Sequence, residues 1–132
     1  MTQQEIIDYC LTKRGAYIDF PFGPDFLIIR IKTSKQESGP TFAQIFELKG
    51  KPKCTFSCSR EGGLFYRDIF PDKVVRGWHC PPVQQPYFNT FTVDGTIPAD
   101  SIKQMADHAY EAVVAKLPKY IQKELLAAPP SP

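Results

Sequence analysis

The stretch that decides the fold is TFAQIFELKGKPKCTFSCS, residues 41–59. Its first part, Thr41–Leu48, predicts a strand, and residues 48–52, which include Gly50 and Pro52, predict a turn. In residues 53–59 apolar and polar residues alternate, which predicts a second strand. The side chains expected to face the core are Cys54, Phe56 and Cys58, and those expected to face outward are Lys53, Thr55 and Ser57.

Further strands are predicted on both sides of this hairpin, at residues 16–20, 26–32, 74–79 and 88–93. Thr2 and Glu5 form a capping-box pattern that starts a first helix, which is expected to end near Gly15. Other helices are predicted at residues 60–70, from Pro98 onward, and at residues 119–127. The long helix after Pro98 has one apolar stripe, which is expected to pack on the sheet: Ile102, Met105, Ala106, Ala109, Val113 and Leu117.

Strands joined by short turns, with helices before and after them, favour an α+β fold in which an antiparallel sheet carries its helices on one face. The chain of 132 residues suits one domain. We therefore expect a single domain over residues 1–127, with residues 128–132 as a disordered tail.

The bulk composition is that of a globular protein, with 42% hydrophobic and 23% charged residues. No apolar run approaches the ~20 residues that span a bilayer. The N-terminus MTQQEIIDYC lacks the basic and apolar regions of a signal peptide, which predicts a cytoplasmic protein. The net charge of +2 and the pI of about 8.3 allow an anionic partner without requiring one.

The four cysteines are expected to be reduced, and no cofactor is predicted. Cys54 and Cys58 lie about 13 Å apart on one strand, too far for a disulfide. A zinc site from Cys54, Cys58, His79 and Cys80 would need a sharply bent strand, so buried apolar cysteines and no metal are expected. A catalytic Cys80–His79 pair is disfavoured because neighbouring strand residues point to opposite faces, so a non-enzymatic protein is predicted. His108 is expected on a solvated helix face.

Several short motifs together resemble those of the MmcQ/YjbR family of small bacterial proteins. The motifs occur in order along the chain at residues 20–25 (FPFGPD), 76–79 (RGWH), 89–90 (NT), 94–95 (DG), 107–110 (DHAY) and 116–118 (KLP). The resemblance implies a YjbR-like α+β fold related to the secretion-chaperone architecture. It also implies DNA binding through a proposed double-wing arrangement.

If the resemblance holds, basic residues on turns and helix ends would contact DNA weakly and without sequence preference. The candidate nucleic-acid-binding residues are Lys32, Lys35, Lys49, Lys51, Lys53, Arg76, His79, Lys116 and Lys119. Thr41–Leu48 is about 25 Å long as a strand, so the lysines before and after it are expected to form two separate basic tips. Ordinary solubilising charge on hairpin turns is the alternative interpretation.

The segment at residues 77–93 departs from the family pattern. The family places Asn-Lys and then His-Trp after the histidine that matches His79, whereas this chain has CPPVQQPYF and no lysine. We expect residues 80–87 to be an ordered, extended connection, with Trp78 and Phe88 as cross-strand neighbours. The alternative function is a protein-interaction or chaperone-like module, or a homodimer contact, through a partner surface of Trp78, Val83, Tyr87 and Phe88.

Overall fold

Six antiparallel strands form one sheet, and four helices pack against one of its faces. The structure is a computed structural model, and it describes residues 1–127, so the predicted tail lies outside the described residues. In chain order the elements are α1 (Gln3–Leu11), β1 (Ala16–Asp19), β2 (Leu27–Ile31), β3 (Thr41–Leu48), β4 (Lys51–Ser57), α2 (Arg60–Ile69), β5 (Val75–Arg76), a 3-10 helix (Gln85–Tyr87), β6 (Phe88–Thr92), α3 (Ala99–Ala115) and α4 (Lys119–Ala127).

The predicted hairpin is the centre of the sheet. β3 and β4 pair with Ala43 opposite Phe56 and Leu48 opposite Lys51. The turn is two residues, shorter than expected, because Lys49 and Gly50 have φ values of 53° and 76°. Two successive positive φ angles define the turn type whose twist matches that of a β-hairpin.

The strand order is β1-β2-β3-β4-β6-β5, so β6 lies between β4 and β5. The expected strand at residues 74–79 is wrong beyond Arg76, since β5 has two residues. The Gly77 N–H still donates to the Phe88 carbonyl, but the Cys80 N–H then donates back to the Gly77 carbonyl. That turn leads the chain away from the sheet.

The core lies between the sheet and the helices. Cys54, Phe56 and Phe91 project into it from the sheet. The α3 stripe is confirmed, with five of its six side chains buried and Leu117 half-buried at the helix end. The expected outward positions of β4 are wrong in part, because Thr55 and Ser57 are buried on the opposite face.

Helices α1 and α3 are joined by polar contacts. The Tyr9 hydroxyl donates to Asp107 Oδ1 at 2.6 Å, and the Tyr110 hydroxyl donates to the Arg14 carbonyl at 2.7 Å. Lys13 forms an ion pair with Asp107. The capping box of Thr2 and Glu5 is present, as predicted.

Within residues 1–127, no helix combines the length and the apolar character that crossing a membrane requires.

Candidate functional site

The face of the sheet without helices carries a mixed polar and aromatic layer, which we call the open face. Thr55, on β4, is fully buried there, and its hydroxyl lies 2.7 Å from that of Thr90 on β6. Gln44, opposite Thr55 on β3, is also buried. Because buried hydroxyls and amides need partners, this layer is held together by hydrogen bonds as well as by apolar contact.

An aromatic row crosses the open face from the sheet toward solvent. The ring of Phe46 on β3 stacks on Phe26 with centroids 4.8 Å apart, and Phe26 meets the edge of Phe22 at 6.0 Å. The His79 ring lies 5.1 Å from Phe46. Phe22 is the outer member of the row and is 76% exposed.

His79 is tied to the sheet by a side-chain hydrogen bond. Its Nε2 lies 2.9 Å from Gln44 Oε1, where the imidazole N–H donates to the amide oxygen. Partial burial lowers the pKa of His79 below its usual value, which favours the neutral ring. The hydrogen bond to Gln44 anchors the segment that follows β5 to the sheet.

Residues 77–88 fold into a series of tight turns, so the expected extended connection is wrong. The Gln84 N–H donates to the Pro81 carbonyl at 2.8 Å, and the Tyr87 N–H donates to the Gln84 carbonyl at 2.9 Å. The Gln85 side-chain amide also donates to the Cys80 carbonyl at 3.0 Å. Prolines fix φ near the value that turns and 3-10 helices use, which explains why this sequence closes on itself.

Trp78 and Phe88 are not cross-strand neighbours. Arg76 pairs with Asn89, so Gly77 is the residue beside Phe88. A Cβ at Gly77 would lie 2.8 Å from Phe88 Cβ, so the close approach requires glycine. Trp78 instead projects outward, 64% exposed, with the Arg76 guanidinium 5.4 Å from its ring centre.

Two grooves border the segment at residues 77–88. The face groove, about 500 Å³, lies on the open face and is lined by Phe22, Phe26, Ile28, Arg30, Thr41, Gln44, His79, Cys80, Pro81, Gln84 and Phe88. The end groove, about 420 Å³, lies against α3 and is lined by Pro40, Thr41, Ser57, Cys58, Gln84, Tyr87, Phe88, Ala112, Val113, Lys116 and Leu117. The grooves share Thr41, Gln84 and Phe88. Their charged lining residues, among the described part of the chain, are Arg30 and Lys116, both basic.

The basic candidates divide between the two ends of the sheet. Lys49, Lys51 and Lys53 lie at the β3–β4 turn, and the Lys53 ammonium donates to Thr92 Oγ1 at 2.7 Å. Arg76 and Lys116 lie at the other end, because Arg76 is beside the start of β6 and Lys116 lines the end groove with Thr41.

The β2–β3 connection, which contains Lys32 and Lys35, also lies at the end where β3 starts. Lys35 pairs with Glu124 at 2.9 Å, and the Lys32 ammonium lies 4.7 Å from the Tyr17 ring centre. Lys119 begins α4. The predicted pair of separate tips therefore matches the topology, and the segment at residues 77–88 belongs to one of them.

The cysteines and histidines do not converge on one point. Cys54 lies in the core, whereas His79 lies on the open face, on the other side of the sheet. Burial raises the pKa of Cys58 to about 11, so its thiol stays protonated at neutral pH. Within residues 1–127, no group of three or more His, Cys, Asp or Glu side chains is placed to hold a metal ion.

His108 has a structural contact in place of the expected solvated position. The Ser59 N–H donates to His108 Nε2 at 3.2 Å, at the start of α2. A Cβ at Gly62 would lie 2.2 Å from the His108 ring, so a glycine there lets the two helices approach. Asn89 is similarly structural, because it accepts from Arg67 at 2.6 Å and donates to the Gly63 carbonyl at 3.1 Å.

Sequence reasoning missed the open-face residues Phe22, Phe26, Gln44 and Phe46. One signal was available: Gln44 is a polar residue in the middle of an otherwise apolar strand, TFAQIF. A buried side-chain amide needs a hydrogen-bond partner, so Gln44 indicated that other residues cover the second face of the sheet as well. The identity of that partner, His79, could not be read from the sequence, because the two residues are 35 positions apart.

The comparisons with known proteins agree with this architecture. The model of the YjbR family matches residues 11–112. The chain belongs to the YjbR family. A Deinococcus radiodurans protein, DR2400, whose crystal structure carries a DUF419 domain, has a TM-score of 0.81 at 22% identity, over 99% of this chain and 91% of its own.

A Pseudomonas syringae protein solved by structural genomics has a TM-score of 0.66 at 16% identity, over 86% of this chain and 99% of its own. At these identities the two structures show the fold alone. No curated protein matches the sequence. The predicted family and the predicted α+β fold are thereby confirmed.

Proposed function

We propose that this YjbR-family chain is a non-enzymatic DNA-binding protein that binds DNA weakly and without sequence preference. The observation that carries the proposal is the charge pattern around residues 77–88. The two grooves beside this segment have basic lining residues, Arg30 and Lys116, and no acidic ones among the described residues. Within residues 1–127, the lining of these grooves itself presents no carboxylate to a polyanion, and phosphate neutralisation supplies most of non-specific DNA affinity.

Aromatic rings accompany these cations. Arg76 lies 5.4 Å from the ring centre of Trp78, and Lys116 lies 5.1 Å from that of Tyr87. Surfaces that bind nucleic acid without sequence preference combine positive charge with flat side chains. Both pairs lie beside the segment at residues 77–88, whose two ends meet where the Gly77 N–H donates to the Phe88 carbonyl, and this placement supports the proposal.

Weak binding follows from how few cations are free of acidic neighbours. Arg30 lies 3.1 Å from Asp19, and Lys35 lies 2.9 Å from Glu124. The net charge is +2, and the hairpin lysines lie at the far end of β3. We therefore expect a dissociation constant at or above ~10 μM at physiological salt, in the non-specific range.

The non-enzymatic part of the proposal rests on the chemistry of the candidate groups. His79 bonds to an amide oxygen and not to a carboxylate, so this hydrogen bond does not orient it as a general base in the way a carboxylate would. Burial raises the pKa of Cys80 as well as that of Cys58, which disfavours the thiolate that nucleophilic catalysis needs.

A salt titration tests the proposal. Fluorescence anisotropy with a labelled mixed-sequence duplex should show affinity that falls linearly on a log–log plot as salt rises, with a slope of about −0.9 per neutralised phosphate. The double variant Arg76→Gln/Lys116→Gln should weaken binding and make the slope shallower by up to about 1.8. Lys73→Gln/Lys123→Gln, two exposed lysines elsewhere, removes the same charge and is the matched control.

Binding that does not depend on salt would contradict the proposal, and so would nanomolar affinity for one defined duplex. An equal loss in the control variant would show that net charge, and not this surface, is responsible.

A protein-interaction or chaperone-like function is the second candidate. It is favoured by the exposure of apolar side chains around the uncharged segment, since Val83 is 82% exposed and Phe22 is 76% exposed. Exposed apolar clusters of this kind mark protein contacts. For this candidate, a gel shift with DNA at low salt would be negative, and sedimentation would show self-association that Val83→Asp abolishes.

A further inference from the structure

We infer that the face groove binds a small, uncharged aromatic molecule that carries a carbonyl oxygen, such as an aromatic amide, and that the side-chain amide of Gln44 donates to that oxygen. The residues that carry this inference line a single groove. The site does not depend on the proposed DNA binding, because neither of the cation–aromatic pairs, Arg76–Trp78 and Lys116–Tyr87, lines the face groove.

Gln44 supplies the hydrogen-bond donor of the site. It is 9% exposed and lines the groove from the middle of β3. Its Oε1 accepts from His79, whereas its Nε2 forms no hydrogen bond within residues 1–127. That nitrogen is not fully enclosed by protein, so a ligand in the groove can reach it. Small-molecule sites use a few polar groups of this kind to fix the orientation of a ligand.

The walls of the groove are aromatic. Phe22 and Phe26 come from the β1–β2 connection, and Phe88 comes from the start of β6. Phe26 is held in place because it stacks on Phe46, with ring centroids 4.8 Å apart, and Phe22 lies at the rim with its ring against that of Phe26. Aromatic rings attract one another in stacked and edge-to-face arrangements. A flat ring that enters the groove would therefore contact rings that are already positioned.

The charges at the groove are balanced, which favours an uncharged ligand. Arg30 is the one charged residue that lines it among the described residues. Its guanidinium forms an ion pair with Asp19 at 3.1 Å and donates to the Gly39 carbonyl at 3.1 Å. Burial lowers the pKa of His79, which favours the neutral imidazole. A carboxylate ligand would thus lose hydration without gaining a free cation, and an ammonium would meet no carboxylate among the described lining residues.

The size of the groove suits one ring system. Its volume of about 500 Å³ is within the range of small-molecule sites, ~300–1,000 Å³. A phenylalanine side chain of a protein partner would fit the same walls. It would leave the Gln44 donor without a partner, however, because its ring carries no acceptor. The combination of aromatic walls with one free donor therefore favours a molecule that has both a ring and a carbonyl group.

Benzamide is the probe, because it joins one aromatic ring to one carbonyl group and carries no charge. In a titration of ¹⁵N-labelled protein followed by NMR, we expect saturable binding with a dissociation constant of about 1 mM, weak because the molecule is so small. The side-chain NH₂ signals of Gln44 and the backbone amide of Cys80, which also lines the groove, should shift. Acetophenone, which keeps the carbonyl oxygen, should bind about as well, and benzoate and benzylamine should bind more weakly.

Two variants test the assigned contacts. Gln44→Glu keeps an acceptor for His79 but removes the donor, so benzamide affinity should fall about 10-fold. Phe22→Ala removes a ring that is 76% exposed, so the protein should stay folded and affinity should fall about 2- to 10-fold. Phe65→Ala is the matched control, because Phe65 on α2 is 54% exposed and lies outside both grooves. It should leave binding unchanged, and the melting temperature of each variant is measured alongside.

The inference is refuted if groove residues show no saturable shift at benzamide concentrations well above the expected dissociation constant. Benzoate that binds more tightly than benzamide would show that the groove offers a free cation and would overturn the uncharged ligand. Equal losses of affinity in Phe22→Ala and Phe65→Ala would place the probe elsewhere. If Gln44→Glu does not fold, Phe22→Ala and its control decide the outcome. None of these results bears on DNA binding, which the salt titration tests separately.

Discussion

The two faces of the sheet are buried by different means. On the helix face, Phe56, Phe91 and the α3 stripe pack as an apolar core. On the open face, the Thr55–Thr90 and Gln44–His79 hydrogen bonds and a short aromatic row cover the strands.

This difference indicates that folding stability and ligand binding depend on different faces of the sheet. Apolar burial stabilises in proportion to the area removed from water, and the largest fully buried side chains, Phe42, Phe56 and Phe91, belong to the core on the helix face. The open face is held by a few directional contacts and leaves aromatic side chains exposed at its rim. A surface of that kind can exchange contacts with a ligand without unfolding the core.

The largest expected effect is on the helix face. Val113→Asp, on α3, places a carboxylate where the side chain is buried, and the cost of an unpaired buried charge is comparable with the total stability of a small domain, about 5–15 kcal/mol. We expect the variant to be unfolded at room temperature by circular dichroism. Gln104→Asp, exposed on the same helix, should melt normally. A normal melting temperature for Val113→Asp would refute the core assignment.

The next effect belongs to the open face. Thr55→Val leaves the buried Thr90 hydroxyl without its partner, which should cost about 1–3 kcal/mol in urea denaturation. Adding Thr90→Val removes the orphaned group, so the double variant should recover most of that loss. Additive losses in the double-mutant cycle would mean that the two hydroxyls do not depend on each other.

A smaller effect should appear in the pH dependence of stability. Because burial lowers the folded-state pKa of His79, the unfolded chain takes up a proton more readily as pH falls through the ordinary value of 6.5. The contribution of His79 is therefore fully present above that pH and is lost below it. His79→Gln should flatten the change in melting temperature between about pH 8 and about pH 5.5. An unchanged slope would show that other groups set the pH response.

The smallest effect is expected at Trp78, an exposed side chain that belongs to neither buried face. Trp78→Ala removes a side chain that is 64% exposed, so unfolding free energy should change by no more than about 0.5 kcal/mol, as is usual for surface positions. Thermal denaturation monitored by circular dichroism measures this. A loss of unfolding free energy above about 2 kcal/mol is typical of a buried aromatic side chain. It would show that Trp78 stabilises the fold and is not a free surface residue.

The helix face was predictable because its signals are local. Two local patterns predict which side of each element is apolar. They are the helical spacing of Ile102, Ala106, Ala109 and Val113 and the strand alternation of Cys54 and Phe56. Within β4 the same alternation misled for Thr55, because a polar residue opposite a core position can be buried on the second face.

The open face depends on contacts that no local pattern encodes. β5 ends at Arg76 because the following segment closes through Gln85 and Cys80, a contact that competes with strand pairing. The exposure of Trp78 follows from that turn and from the Gly77–Phe88 approach. His108 becomes a hydrogen-bond acceptor only once α2 is placed against α3. Tertiary geometry of this kind forms the candidate site, so the sequence indicated His79 but neither Gln44 nor Phe46, and it did not indicate how these residues are arranged.

The contacts between α1 and α3 have a kinetic consequence. Most strand pairings join neighbours in the chain, whereas Tyr9–Asp107 and Tyr110–Arg14 connect positions 98 and 96 residues apart. Closing a loop of that length costs entropy before any contact repays it, so these bonds are expected to form after the folding transition state. Interactions that form late slow unfolding without hastening folding. The contacts between α1 and α3 would thus lower the unfolding rate of the domain and lengthen the lifetime of the folded state, without changing how fast the sheet assembles.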